Sequence, residues 1–163
     1  MKVLASVCVA SLLGLGAVTS ASAASITTNN PPNTLFSAIG PTNLVKGSLS
    51  LACTSTFNGH TNTDGSADIT SASFSGGPLG ACATITTSGL PWHVTAATTT
   101  QAVITGVTVT LPLGIGTCGP GTITANWNAG THVLSFTGQV LPPSSGANCV
   151  ASGNLSAPLI EVN

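Results

Sequence analysis

The chain has 163 residues, of which 42% are hydrophobic and 3% are charged, and its formal net charge is −1. Charged residues normally make up about a quarter of a globular chain, so Thr, Ser, Asn and Gly must solvate most of this surface. Phosphate binding needs a basic surface, which a chain with two lysines and no arginine cannot supply. The composition therefore excludes a nucleic-acid partner, and the near-neutral surface favours self-association or adsorption.

Residues 1–23 have the pattern of a secretory signal peptide. Lys2 precedes a run of small and apolar residues, and Ala21-Ser22-Ala23 has the A-x-A form of a cleavage site. The run is too poor in large residues for a membrane span, and no later stretch approaches about 18 consecutive apolar residues. We therefore predict a secreted or cell-surface protein with no transmembrane segment.

Residues 24–43 are predicted to form an extended N-terminal arm or an edge strand. Pro31, Pro32 and Pro41 interrupt this segment, and proline blocks a regular helix or a central strand. Such an arm could add as a strand to the open sheet edge of a neighbouring copy. Residues 44–163 are predicted to form one β-sandwich domain.

The sequence of residues 44–163 has the two-residue period of half-buried strands. Residues 44–57 place apolar or small side chains on one side and Ser or Thr on the other. A polar loop, residues 58–68, follows, and the alternation recurs in residues 90–100 and 102–111. The Thr, Val and Ile content suits a sheet. We predict an all-β fold: a single antiparallel β-sandwich or barrel-like domain of about 8–10 short strands.

Residues 118–136, CGPGTITANWNAGTHVLSF, are predicted to form a hairpin. Residues 119–121 are expected to turn the chain into the first strand. Residues 128–130 are expected to turn it back, with the glycine in the left-handed conformation. We interpret Trp127 and His132 as core and cross-strand partners, not as members of a reactive site.

Four cysteines follow the predicted signal peptide, and an even number in an exported chain implies two disulfides. They are Cys53, Cys82, Cys118 and Cys149. Three connectivities are possible. The spacing favours Cys53–Cys82 with Cys118–Cys149, because each bond would then staple one half of the domain. No pair has the short spacing of a zinc site.

The sequence indicates no catalytic residues and no cofactor. It has no G-x-S-x-G elbow, and the few acidic residues would have to orient a histidine or supply paired carboxylates. The acids are Asp64, Asp68 and Glu161, and the histidines are His60, His93 and His132. We therefore predict that the protein is not an enzyme.

The loop from Asn62 to Asp68 is similar to a fragment of a calcium loop, because side-chain oxygens surround a glycine. It lacks the bidentate glutamate, and an Asp-Gly turn between two strands explains the same residues without a metal. A sugar-binding groove would need surplus aromatic side chains, whereas the chain has two Trp, four Phe and no Tyr. A calcium-binding or sugar-binding adhesive module therefore stays one of the functional hypotheses.

Several segments of the chain resemble those of the exported proteobacterial proteins called protein activator of alkane oxidation, the Pra family. The resemblance lies in the signal peptide, the four-cysteine spacing and three segments: PPNT at residues 31–34, GLPWHVTA at residues 89–96 and CGPGTITANWN at residues 118–128. It implies a small extracellular protein that promotes growth on alkanes by helping to disperse the oil. It carries no catalytic residues over to this chain.

Two other functional hypotheses follow from the sequence. The first is a non-enzymatic secreted protein that promotes alkane assimilation by acting at a hydrophobic oil–water interface or at the cell surface. The second is a structural subunit of a surface fibre or biofilm matrix, pilin-like or adhesin-like, that self-associates through the arm at residues 24–43.

Overall fold

The computed structural model describes residues 23–28 and 33–163. The predicted signal peptide lies outside these residues except for Ala23. The strands are β1 (Ile26–Thr28), β2 (Leu35–Lys46), β3 (Leu49–Thr61), β4 (Ala67–Ser75), β5 (Thr86–Thr87), β6 (Trp92–Thr98), β7 (Gln101–Leu111), β8 (Gly116–Asn128), β9 (Val133–Leu141), β10 (Cys149–Ser156) and β11 (Ile160–Val162). One 3-10 segment, Pro78–Thr84, lies between β4 and β5. No helix in the described part is long and apolar enough to cross a membrane.

Eight strands close into one antiparallel barrel. β2, β3, β4, β6, β7, β8, β9 and β10 each pair with the next barrel strand in chain order. β10 then pairs with β2 and closes the barrel. β5 pairs with the last part of β7, and β1 and β11 form a separate two-stranded sheet. The predicted all-β antiparallel fold is confirmed, and of the two predicted arrangements the molecule has the barrel.

The up-and-down order places successive connections at opposite ends of the barrel. The connections at residues 62–66, 99–100 and 129–132 lie at one end. The β1–β11 sheet packs on that end, where the Ile26 N–H donates to the Gly65 carbonyl. We call it the acidic end, because Asp64, Asp68 and Glu161 lie there. The other end, with the connections at residues 47–48, 76–91, 112–115 and 142–148, is called the disulfide end.

The barrel wall follows the two-residue period read from the sequence. On β3, Leu51 and Cys53 are buried, whereas Ser50 before them and Thr54 after them are exposed. The inward side chains, with Trp92 among the most deeply buried, form the core inside the barrel. The outward side chains are mostly small and hydroxyl-bearing, so the wall is uncharged and still hydrogen-bonds to water.

The predicted arm or edge strand at residues 24–43 is wrong for residues 35–43. These residues belong to β2, which pairs with β3 on one side and with β10 on the other. Residues 26–28 pair with β11. The described part of the segment is therefore built into the molecule, which removes the sequence support for polymerisation by strand addition.

The central position of β2 accommodates Pro41 because the ladder to β10 is interrupted there. β2 pairs with β10 at Thr42 and again at Ile39, without ladder pairs at Gly40 and Pro41. Proline has no backbone N–H to donate to a neighbouring strand. Because the ladder to β10 is interrupted at Pro41, no donor is required there. Gly40 also brings the two backbones close, since a Cβ atom there would overlap the backbone oxygen of Asn154.

The expected single strand at residues 44–57 is two strands in the structure. A tight turn at Gly47 and Ser48 separates β2 from β3. Gly47 has φ +60°, a conformation that glycine adopts without steric penalty. The polar loop expected at residues 58–68 shrinks to residues 62–66, because β3 and β4 extend into it.

The hairpin predicted within residues 118–136 exists, but both of its expected turns are placed differently. Residues 119–121 lie inside β8, where irregular pairing with β7 marks a bulge. The bulge fits this position because a Cβ atom on Gly119 would overlap the backbone oxygen of Val107. At the other turn the left-handed residue is His132, with φ 52°, and not the glycine.

Two disulfides join strands and loops at the disulfide end. Cys53 of β3 is bonded to Cys82 of the 3-10 segment, and Cys118 of β8 is bonded to Cys149 of β10. These are the pairs that the spacing favoured. The first bond ties the connection at residues 76–91 to the wall, and the second spans across β9.

Candidate interaction surface

The ionisable side chains of the described residues are segregated along the barrel. All three acids and all three histidines lie at the acidic end, on β3, β4, β6, β11 and the connections beside them. The remaining one, Lys46, lies at the disulfide end. The two ends therefore differ sharply in polarity.

Lys46 does not make the disulfide end charged at its surface. Its side chain is buried at the end of β2, and Nζ donates to the Thr117 carbonyl over 3.4 Å. Burying a lysine is unfavourable unless its ammonium is hydrogen-bonded. The only lysine or arginine side chain of the described residues is thus withdrawn from the surface that the disulfide end presents to solvent.

Asp68 is the centre of a small polar cluster at the acidic end. Its Oδ1 lies 2.9 Å from His93 Nδ1 and its Oδ2 lies 4.0 Å from His60 Nε2. Asn62 Nδ2 donates to Asp68 Oδ2 over 3.1 Å. The hydrogen bond from His93, which outweighs partial burial, holds the pKa of Asp68 below its usual value.

Asp68 is expected to make the barrel acid-sensitive. Because the folded-state pKa lies below 3.8, its contribution is fully present above that pH and is lost as the pH falls through the folded pKa. Asp68→Asn should therefore show a smaller fall in the free energy of unfolding below pH 3.8 than the wild type does. Urea unfolding over a pH series measures this. Ser71→Ala on the same strand serves as the control, and an unchanged pH dependence in Asp68→Asn would contradict the assignment.

The loop from Asn62 to Asp68 is closed by its own hydrogen bonds. Asp64 Oδ1 accepts from the Ser66 N–H at 2.9 Å and from the Ser66 hydroxyl at 2.6 Å. These bonds hold the pKa of Asp64 below its usual value. The geometry is that of the Asp-Gly turn considered from the sequence. Among residues 23–28 and 33–163, no three His, Cys, Asp or Glu side chains are grouped as metal ligands.

His132 and Glu161 connect the barrel to the small sheet that packs on the acidic end. His132 Nε2 lies 2.8 Å from Glu161 Oε1 of β11, and the Ala157 N–H donates to the His132 carbonyl. The imidazole ring also packs edge-on against Trp127, with ring centroids 6.0 Å apart. His132 is therefore a structural link, but it acts from the connection between β8 and β9 and not as the cross-strand partner that the sequence interpretation expected.

Two leucines project from the disulfide end. Leu79 lies in the connection between β4 and β5, Leu113 lies between β7 and β8, and their relative exposures are 108% and 94%. Val140, at the end of β9, is also exposed at this end. Single exposed apolar residues are ordinary on protein surfaces, but these two stand at the tips of connections that contain no charged residue.

Both leucines are held in an unfavourable backbone conformation. Leu79 has φ 52° and Leu113 has φ 59°, and each precedes a glycine that also has positive φ. The left-handed region costs a non-glycine residue roughly 1–2 kcal/mol. Backbone strain of this kind is concentrated at functional sites. Neither the exposure nor the conformation of these leucines stabilises the isolated barrel.

These leucines were not predicted from the sequence, although the chain contains a signal for them. Pro-Leu-Gly occurs twice, at residues 78–80 and at residues 112–114. In both copies proline favours a turn and glycine accepts positive φ. A leucine between them is an apolar residue at a position where turns normally have polar ones. The repeat could have been recognised as two matching apolar tips.

Comparison with protein-family models gives a match. A family model described as "Alkane oxidation protein activator PraA/PraB-like" matches residues 1–162. No curated protein and no solved structure matches significantly. The family match covers the whole barrel, including the acidic end, the disulfide end and both leucine tips.

Proposed function

Because the chain belongs to the PraA/PraB-like family of alkane oxidation protein activators, we propose that it is an exported, non-enzymatic protein that acts at the boundary between hydrocarbon and water. The family description is that of an activator of alkane oxidation and not of an enzyme that carries it out. The chain has two disulfides, both at the disulfide end. Disulfides are typical of proteins from oxidising compartments, which supports export. A surface-active role needs no catalytic residue.

The observation that carries this proposal is the position of Leu79 and Leu113 opposite the acidic end. Transfer of a charged group into an apolar phase is strongly unfavourable. The disulfide end has no exposed ionisable side chain among the described residues, so it can approach hydrocarbon without that penalty. The acidic end stays hydrated. The barrel would therefore adsorb with its axis perpendicular to the oil–water boundary and with Leu79 and Leu113 in the oil.

The two leucines provide enough free energy to orient the molecule. Full burial of a leucine side chain is worth about 1.5–3 kcal/mol. Two leucines together then contribute about 3–6 kcal/mol, and every 1.4 kcal/mol is a factor of ten in affinity. The disulfide Cys53–Cys82 holds the connection that contains Leu79, so little ordering is needed when the tip enters the oil.

The double variant Leu79→Ser/Leu113→Ser is expected to adsorb to hexadecane at least about a hundredfold more weakly than the wild type. The measurement is the interfacial tension of hexadecane against buffer as a function of protein concentration. Far-ultraviolet circular dichroism and urea unfolding should be unchanged, because both side chains are exposed.

A matched control exists at the acidic end, where Leu35 and Leu159 are 74% and 44% exposed. Leu35→Ser/Leu159→Ser removes the same side chains and should leave adsorption close to that of the wild type. If both double variants weaken adsorption equally, the protein is not oriented as proposed. If the wild type lowers the tension no more than an ordinary secreted domain of the same size, the interfacial role itself is wrong.

A further inference from the structure

The interior of the barrel contains an apolar cavity. An eight-stranded barrel is just wide enough to be filled by side chains or to hold one small ligand. Here several inward positions are occupied by small residues, Ala38, Ala67, Ala102 and Ala151, all of them buried. They line a cavity of about 100 Å³. The missing side-chain volume accounts for the space that remains.

The lining of this cavity disfavours water. It includes four polar residues, Thr42, Asn43, Ser55 and Ser152, and the Thr42 and Ser55 hydroxyls bond to each other over 2.6 Å. Among the buried polar side-chain atoms of the lining residues, only the indole Nε1 of Trp127 lacks a hydrogen-bond partner, so a water would find a single free donor there. A buried water typically needs two to four polar partners, and cavities walled by apolar side chains stay dry.

The lining also disfavours a charged ligand. No Lys, Asp, Glu or His lines the cavity, and the acids and histidines of the described residues lie at the acidic end. A buried carboxylate without a charged or multiply donating partner is strongly disfavoured. The cavity thus discriminates between an uncharged hydrocarbon and the carboxylate of the same length.

We propose that the barrel interior binds one small uncharged hydrocarbon, such as a short unbranched alkane. An apolar cavity of about 150 Å³ holds benzene or xenon, so the observed volume suits a ligand of a few carbons. This site is separate from the leucine tips. It would operate on single molecules in water, whereas adsorption requires a bulk oil surface.

The test is a methyl-detected NMR titration of the full chain with xenon and with n-pentane, and pentanoate as the charged analogue. Saturable shifts are expected for inward methyl groups such as those of Ile104 and Ile123, and not for the methyl groups of Leu113. Pentanoate should bind about tenfold or more weakly than pentane. No saturable shift with xenon or pentane overturns the proposal, and equal binding of pentanoate overturns the selectivity for uncharged ligands.

Two interior variants and one surface variant locate the site. Ala102→Leu fills the cavity and should weaken pentane binding about tenfold or more. Ile104→Ala enlarges it and should strengthen binding of n-heptane by a similar factor, which keeps the test decisive if the filled variant does not fold. Leu35→Ser, outside the barrel, should bind pentane as the wild type does. Unchanged affinities in a folded interior variant would show that the ligand binds elsewhere.

Discussion

Removal of both disulfides is expected to lower the free energy of unfolding by about 6–8 kcal/mol. The bonds close loops with sequence separations of 29 and 31 residues. On the chain-entropy account, each such loop stabilises the folded state by about 3–4 kcal/mol. Since the whole stability of a domain is about 5–15 kcal/mol, the reduced barrel should be close to unfolding at room temperature.

Urea unfolding of Cys53→Ala/Cys82→Ala, of Cys118→Ala/Cys149→Ala and of the variant lacking all four cysteines measures the two contributions separately. Reductant should shift the wild type and each double variant, and it should not shift the four-alanine protein. Equal unfolding midpoints for the wild type and the four-alanine protein would show that packing alone stabilises the barrel.

Gly40→Ala is expected to destabilise the barrel by about 3 kcal/mol or more. The added Cβ would overlap the backbone oxygen of Asn154 on β10. Backbone atoms in a paired strand cannot rotate away as a flexible side chain can, so β2 and β10 must separate locally. These are the two strands whose pairing closes the barrel.

Gly130→Ala is the matched control for this substitution. Gly130 lies in the connection between β8 and β9 and has no positive φ. A Cβ atom added there would lie 3.4 Å from Asn128 Oδ1, which is an ordinary contact distance. Alanine there should be neutral or stabilise by up to about 1 kcal/mol through the unfolded state. Chemical denaturation of the two variants compares them directly. A Gly40→Ala protein as stable as Gly130→Ala would mean that the β2–β10 seam is looser than the structure indicates.

Sequence reasoning succeeded where a local pattern decides the structure. Inward and outward residues on β3 could be assigned because a strand alternates its side chains with period two, as Leu51, Ser50 and Thr54 illustrate. The strand content followed from the same alternation. The alternation, and with it the prediction of strands, does not depend on which strands pair.

Sequence reasoning failed where distant residues decide the structure. Pro41 correctly indicates a missing ladder bond, but only the approach of β10 shows that this gap lies inside the sheet. Residues 119–121 have the composition of a turn, yet pairing with β7 holds them in β8 as a bulge. In both places tertiary pairing overrode a local turn or edge preference.

The candidate surface was harder to predict than the fold. The acids and histidines could be enumerated, but their collection at one end depends on the up-and-down order of the strands. The leucine tips were missed because a lone leucine in a turn has no meaning by itself. The repeated Pro-Leu-Gly could have matched Leu79 with Leu113, but only the barrel shows that both connections lie at the same end.

The seam between β2 and β10 also has a consequence for the folding pathway. It joins Ile39 to Ser156 and Lys46 to Cys149, so the contacts that close the barrel span nearly the whole domain. Long-range pairing of this kind slows folding, because the entropy of closing a large loop must be overcome first. Until β10 arrives, the meander is an open sheet with unpaired strand edges, which are prone to intermolecular pairing. The near-absence of charge on its wall offers little repulsion between such intermediates, so the chain is most exposed to aggregation just before the barrel closes.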